Sequence, residues 1–214
     1  MQKLKVFVWY TENVKKYIDL LEKSCETIQD IEIVHCLHNE DVEDKNLCMG
    51  ETHKESYQNL MLKRWKILPG IIQKNIGTNI VWLDADCVFN ENNKIFSTTI
   101  SNYLIDNDFV FQYDNNSYMV NNINTGIMGI KCSESTLKAV KHWYNDVSTK
   151  TQRRPGYPQL EWNEFFNKDF EYKLKFSLLP KEFCMGEGNW VIYHAIGITD
   201  PEKRFLKLKN RIHT

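Results

Sequence analysis

An α/β domain built on a mainly parallel sheet is what this sequence predicts, on three observations. Apolar runs rich in β-branched residues alternate with helical patterns along the chain. The opening segments read strand, helix, strand, and no internal repeat, low-complexity tract or linker interrupts the alternation. With 214 residues and 42% apolar content the chain can bury one sizeable core, so residues 1–214 are expected to form a single domain.

The first strand is "KLKVFVWY", followed by a helix over "NVKKYIDLLEKSCETI" and a second strand, "IEIVHCL". A polar, acidic stretch from His38 to Glu55 reads as a loop. "YQNLMLKRWKIL" has helical spacing up to Leu68, where the Pro69-Gly70 pair should kink or end it. "IVWLDADCVF" is a buried strand running into Asp84 and Asp86. "DFVFQY" and "INTGIMGIK" read as strands, and Ser133 or Ser135 caps a helix that presents Leu137, Val140, Tyr144 and Val147 on one face. "TQRRPGYPQ" is a loop, and "YKLKFSLLP" and "NWVIYHAIGI" are the last strand candidates.

Charge narrows the function. Acids and bases nearly cancel, 28 against 27, for a formal charge of −1. No global basic field draws such a chain onto nucleic acid or anionic lipid, so an anionic ligand must be held locally. "MQKLKVFVWYTE" is too short an apolar run for a signal peptide, and nowhere do the roughly 18 consecutive apolar residues of a membrane span occur. The six cysteines show no zinc spacing and several sit in apolar runs, where they read as reduced core thiols. A soluble, cytoplasmic protein is expected.

Three features carry chemistry. Asp84 and Asp86 stand at the carboxyl end of a strand, where open α/β sheets bind ligands, and point the same way if the strand continues between them. Two like charges so close repel unless a cation is shared, and a hard divalent ion, Mg2+ or Mn2+, suits such oxygens next to phosphates. The bland alternative is one capping and one solvated acid. Arg64 falls in the middle of an otherwise apolar face formed by Tyr57, Leu60, Met61, Ile67 and Leu68, so its stem is buried and its guanidinium needs an anion: a core-edge acid or a bound diphosphate. In "YHAIGITDPEKRF", His194 can complete a metal shell begun by carboxylates, Gly197 allows close approach of a phosphate, and Lys203 supplies a point charge.

With these residues in place the chain resembles the nucleotide-sugar glycosyltransferases of the GT-A fold over most of its length. Arg64-Trp65 on the helix before the metal strand, "VWLDAD", Asn124-Thr125-Gly126 in "INTGIMGIK", and His194 with Gly197 and Lys203 follow the family's order. The late His-x-x-Gly is similar to the motif of the retaining enzymes, and the size matches small unanchored enzymes encoded by large algal viruses. The resemblance implies a nucleotide-binding half, residues 1–114, and a donor-sugar and acceptor half, residues 115–214. It implies that Asp86 and His194 ligate the metal, that Asp84 contacts metal, ribose or donor sugar, and that Arg64 and Lys203 balance the diphosphate. Trp9, Tyr10 and Thr11, with Ala85, would meet the nucleoside; for one of the two aromatics core packing is the plainer role, since strand neighbours face opposite ways. Asn124, Thr125, Gly126 and Gly197 complete the implied donor site. A UDP-sugar donor and a hydroxyl acceptor on a glycan or glycoprotein are the implied partners.

Two departures from the family pattern stand out. Where members often carry Asp-Gln followed by an acid, this chain has Trp162-Asn163-Glu164, leaving Glu161, Asn163 and Glu164 as candidates for donor-sugar contacts or catalysis. The spacing from His194 to Lys203 is long, with Lys207 as a fallback. Two other readings compete. "DADCV" fits the opening motif of haloacid-dehalogenase-type phosphatases, with Asp84 as phosphoryl nucleophile, but two strands and two helices precede it and no later acidic pair follows. A non-catalytic nucleotide-sugar or glycan-binding module is the third.

Overall fold

The computed structural model describes residues 3–38, 55–90, 95–114, 121–150, 159–168, 171–183, 190–198 and 200–212. Most of the two loops expected around residues 38–55 and 149–159, with Cys48 and Cys184, lies outside the described residues.

β1 (Leu4–Thr11), α1 (Lys15–Cys25) and β2 (Ile31–His38) form the expected βαβ opening. Then come α2 (Glu55–Lys66), α3 (Leu68–Lys74), β3 (Asn79–Leu83), β4 (Cys87–Phe89), α4 (Phe96–Asp106), β5 (Phe109–Tyr113), β6 (Ile123–Lys131), α5 (Glu134–Thr149), α6 (Gln159–Lys168), β7 (Phe176–Leu178), β8 (Ile192–His194) and α7 (Pro201–Ile212). The central sheet has the order β2-β1-β3-β6-β5-β7, and β4 pairs with β8 in a separate ribbon. The sheet is mainly parallel: β6 alone runs against its two neighbours, β3 and β5.

Alternation along the strands builds two apolar layers. On β1, Val6, Val8 and Tyr10 join Val81 and Leu83 of β3 beneath α1 and α4, while Phe7 and Trp9 join Ile80 and Trp82 beneath α2, α3, α5 and α6. This is an α/β/α sandwich. A third cluster, with Tyr17, Val88, Tyr193 and Leu208, fastens α7 to α1 and the β4–β8 ribbon.

Local chemistry explains the boundaries. Pro69 ends α2 as expected, but a new helix starts at once, because proline is tolerated in a first turn. Ile67 consequently sits in the junction at 37% exposure instead of on the buried face. Of the two serines, Ser133 caps α5: its Oγ accepts from Thr136 N at 3.1 Å, while Ser133 N donates to Thr136 Oγ1 at 2.8 Å. Three helices, α4, α6 and α7, are not among the elements the sequence pattern names. The buried residues of α4 and α7 nevertheless show helical spacing, Phe96, Ile100 and Leu104 in one and Arg204, Leu208 and Ile212 in the other.

Trp162 is the hub of the second layer. It stacks on Trp143 at 4.1 Å between ring centroids and meets Trp65, Phe109 and Phe166. Trp162→Ala is therefore expected to lower unfolding free energy by about 3–5 kcal/mol, read from urea denaturation midpoints.

Candidate active site

The strand carrying the two acids does not continue between them. Asp84 N still donates to Gly126 O at 2.8 Å, extending the pairing of β3 with β6 by one residue. The chain then turns through Ala85 and Asp86 into β4, whose Cys87 lies opposite His194 of β8. Ala195 N donates to Asp86 O at 3.1 Å and closes the junction. The sequence expectation that the acids converge holds, with a turn in place of a continuous strand. That turn puts both beside His194.

Side-chain ligand atoms of Asp84, Asp86 and His194 all lie within 4.8 Å of one another. Nε2 of His194 is 3.5 Å from Asp84 Oδ2 and 3.3 Å from Asp86 Oδ1. Asp86 is 1% exposed. Burial alone would push its carboxyl up and the His194 imidazole down; each is driven the other way by its partner, so the Asp86 carboxyl is lowered and the His194 imidazole raised. Two arginines flank the acids. Arg64, buried on α2, pairs with Asp84, and its guanidinium lies 5.0 Å from the Trp65 ring and 5.4 Å from the Trp82 ring. Arg204, buried on α7, reaches Asp86 Oδ2 at 3.3 Å and donates to Ile198 O.

Gly126 makes the convergence sterically feasible. A Cβ at that position would stand 2.1 Å from Cε1 and 2.4 Å from Nδ1 of His194, so the ring packs directly on the β6 backbone. Gly126 N is held by Asn124 Oδ1 at 2.8 Å. Thr125, between them, is buried.

Next to the acids opens a cleft of about 90 Å³, lined by Trp9, Tyr10, Thr11, Tyr57, Met61, Arg64, Asp84, Ala85 and Asp86, among others. Trp9 and Tyr10 face opposite layers, as strand neighbours must, yet both reach it. Thr11 donates to Asn13 Oδ1. The Tyr57 phenol is pushed up to about 12 by burial and the Asp84 charge, so it stays a neutral donor across the physiological range.

Several other sequence candidates stand elsewhere. Glu161 pairs with Lys150 in a groove between α5 and α6 that Glu164 also lines, apart from the cleft. Asn163 fastens α6 to β6, accepting from Ile123 N at 3.1 Å and donating to Ile123 O at 3.0 Å. Trp162 fills the core, so the register that sets Trp162-Asn163-Glu164 against the family's segment brings structural side chains, where sugar contacts were expected. Gly197 has φ +73°, a backbone conformation natural to glycine, in the turn after β8. Lys203 is exposed, its backbone N donating to Asp200 Oδ1, and Lys207 lies 5.6 Å from the Tyr193 ring. The buried cation of that segment is Arg204. Its signal was present as i, i+4, i+8 spacing with Leu208 and Ile212 after the turn-forming Asp200-Pro201.

A family model for nucleotide-diphospho-sugar transferases matches residues 22–201, which include Arg64, both acids, Gly126 and His194. The chain belongs to the nucleotide-diphospho-sugar transferase family. That membership sets the phosphatase reading of "DADCV" aside. No curated protein matches the transferase sequence. Among solved structures it is similar to a glycosyltransferase involved in the glycosylation of the major capsid of PBCV-1, at 16% identity and a TM-score of 0.66, covering 97% of this chain and 99% of that one. The glycosyltransferase GlyE of Streptococcus pneumoniae TIGR4 in its apo form matches at 11% identity and a TM-score of 0.60, over 100% of this chain and 63% of that one. Mouse xyloside xylosyltransferase 1 matches at 12% identity and a TM-score of 0.56, over 92% of this chain and 99% of that one. These likenesses bear on the fold, which is that of the GT-A glycosyltransferases.

The transferase's three converging side chains suit a divalent cation. The set offers two carboxylates and an imidazole, and Asp86 Oδ1 is buried with no hydrogen-bond partner among the described residues. Among the described residues no helix is long and apolar enough to cross a membrane.

Proposed function

We propose that this transferase moves a sugar from a UDP-sugar to a hydroxyl on a glycan or glycoprotein, with retention at the anomeric carbon, and that it does so with Mn2+ or Mg2+ held by Asp84, Asp86 and His194. The observation that carries the reading is the convergence of these three side chains, from two distant places in the sequence, beside Arg64 and the cleft at the end of β1. Such an ion, when bound, supplies electrostatic stabilisation to the diphosphate as it leaves.

The chain's own residues supply the rest. Trp9 and Tyr10 give apolar and aromatic surface for a base, and Thr11 a hydroxyl beside it. Arg64 stands fixed by Asp84 and two indole rings, so its positive charge is oriented before the donor arrives. A preorganised cation of this kind favours a state in which phosphate charge has grown, and so lowers the barrier. Retention is supported by the likeness of His194 and Gly197 to the retaining motif; in that course the acceptor hydroxyl attacks from the face the diphosphate leaves, and the departing phosphate takes its proton. Lys203 and Lys207 remain proposed diphosphate contacts from that likeness, and Asn124, Thr125 and Gly126 proposed donor-sugar contacts. Glu161, Asn163 and Glu164 are not assigned a donor role, given where their side chains stand. The nucleotide half at residues 1–114 and the donor-sugar half at 115–214 are proposed on the same basis, with β8 of the second half completing the ligand set of the first. A cytoplasmic location is proposed from the four cysteines, Cys25, Cys36, Cys87 and Cys132, that are unpaired among the described residues.

A panel of nucleotide sugars incubated with Mn2+, Mg2+ or chelator tests the proposal, followed by proton NMR of the product anomer. Metal-dependent release of nucleoside diphosphate from one donor, with the donor's anomeric configuration kept, is expected. Metal-dependent binding of donor without turnover would make the chain a binding module, and an inverted product would overturn retention. A further check sits at Arg64: Arg64→Lys keeps a charge but loses the planar fork, and kcat/KM should fall about 10²-fold.

A further inference from the structure

Gln112 occupies an unusual place for an amide. It is 0% exposed, deep in the sheet, where an apolar side chain of the same volume would pack without polar cost. It follows a register break in β5: Phe111 stands opposite Met128 of β6, but the next residue, Gln112, stands opposite Asn124. Such breaks re-aim a side chain. Here the result is that Gln112 Oε1 lies 2.8 Å from Nδ1 of His194, while Gln112 Nε2 is buried without a hydrogen-bond partner among the described residues.

We propose that Gln112 positions His194 as a metal ligand by fixing its tautomer and ring orientation. The inference rests on the metal reading of the Asp84, Asp86 and His194 cluster and deepens it. An amide oxygen only accepts, so Nδ1 of the neutral ring must carry the hydrogen. The lone pair is then on Nε2, the nitrogen that faces Asp84 Oδ2 and Asp86 Oδ1. With the amide turned over, its NH2 would face Nδ1, the ring hydrogen would move to Nε2, and no imidazole lone pair would point at the acids. The ring cannot retreat from this arrangement easily. One edge lies on the Gly126 backbone, and Ala195, the next residue in the chain, is bonded to Asp86. Gln112 touches the ligand and not the ion, so its removal is felt through His194.

The test joins two readouts on the full chain. The first is the protonated nitrogen of His194 with Mg2+ and UDP present, from long-range 15N–1H correlation of the imidazole in wild type, Gln112→Met and Gln112→Glu. Wild type and Gln112→Glu, whose carboxylate still accepts, should show hydrogen on Nδ1; Gln112→Met should lose that preference. The second is Mn2+ affinity by electron paramagnetic resonance with UDP present, where Gln112→Met should bind about 10–100-fold more weakly and Gln112→Glu should stay near wild type. Hydrogen on Nε2 in a wild type that binds Mn2+ would overturn the proposal. So would wild-type Mn2+ affinity in a folded Gln112→Met. Hydrogen on Nδ1 with no Mn2+ binding to wild type would instead sink the metal reading and leave the tautomer assignment standing. Where Gln112→Met does not fold, the wild-type tautomer and Gln112→Glu decide.

Discussion

Asp86→Asn should lose at least about 10²–10³-fold in metal-dependent donor turnover, while keeping the wild-type far-UV spectrum. The change preserves shape and removes the charge that Asp86 presents at once to His194 and to Arg204. An amide in its place can donate as well as accept, so it would turn part of its surface away from a cation. The effect should appear in kcat, and in Mn2+ affinity measured with UDP bound, because the charge is needed most when the diphosphate departs. Turnover within threefold of wild type would show that this aspartate holds no catalytic cation.

The second large effect is expected from a single methyl group. In Gly126→Ala the added carbon meets His194 Cε1 at 2.1 Å and Nδ1 at 2.4 Å, distances no side-chain rotation of alanine can relieve. The β6 backbone cannot step back either, since Gly126 O accepts from Asp84 N and Gly126 N donates to Asn124. The imidazole must therefore leave its place beside the acids. Donor turnover should fall about 10²-fold or more, in line with the cost of displacing a catalytic group by an ångström. Stability should drop by about 1–3 kcal/mol, the usual cost of overpacking. A kinetic comparison of Gly126→Ala with His194→Ala checks the cause: the two should resemble each other, and the double variant should be no worse than His194→Ala alone.

How much of this was legible in the sequence depends on whether local pattern or long-range contact decides each residue. β1, β3, β5 and β6 were legible because buried strands are continuous apolar runs, and β2, at the sheet edge, because it still carries the β-branched Ile31, Ile33 and Val34. The DxD acids, His194 and Arg64 were legible because charged residues beside or within such patterns need partners, and the structure brings all four together. α4 was missed because its polar face, Ser97, Thr98, Thr99, Ser101 and Asn102, reads as turn chemistry. α7 was missed because the spacing of Arg204, Leu208 and Ile212 lies among Lys203, Lys207, Lys209 and Arg211, which read as a solvated charged segment. Gln112 could not have been found, since its role comes from a break in strand register that lets it meet a histidine 82 positions away. Glu161 and Glu164 were assigned from their register against a motif; the helix they sit on turns them towards Lys150 and Lys168.

The most direct measurement is anomalous diffraction from a crystal grown with Mn2+ and UDP. One manganese peak is expected, bonded to carboxylate oxygens of Asp84 and Asp86 and to Nε2 of His194, with the diphosphate on the Arg64 side and the base in the Trp9–Thr11 cleft. A diphosphate bound there with no manganese touching His194 or Asp86, or manganese bound elsewhere, would contradict the assignment of this cluster as the metal centre.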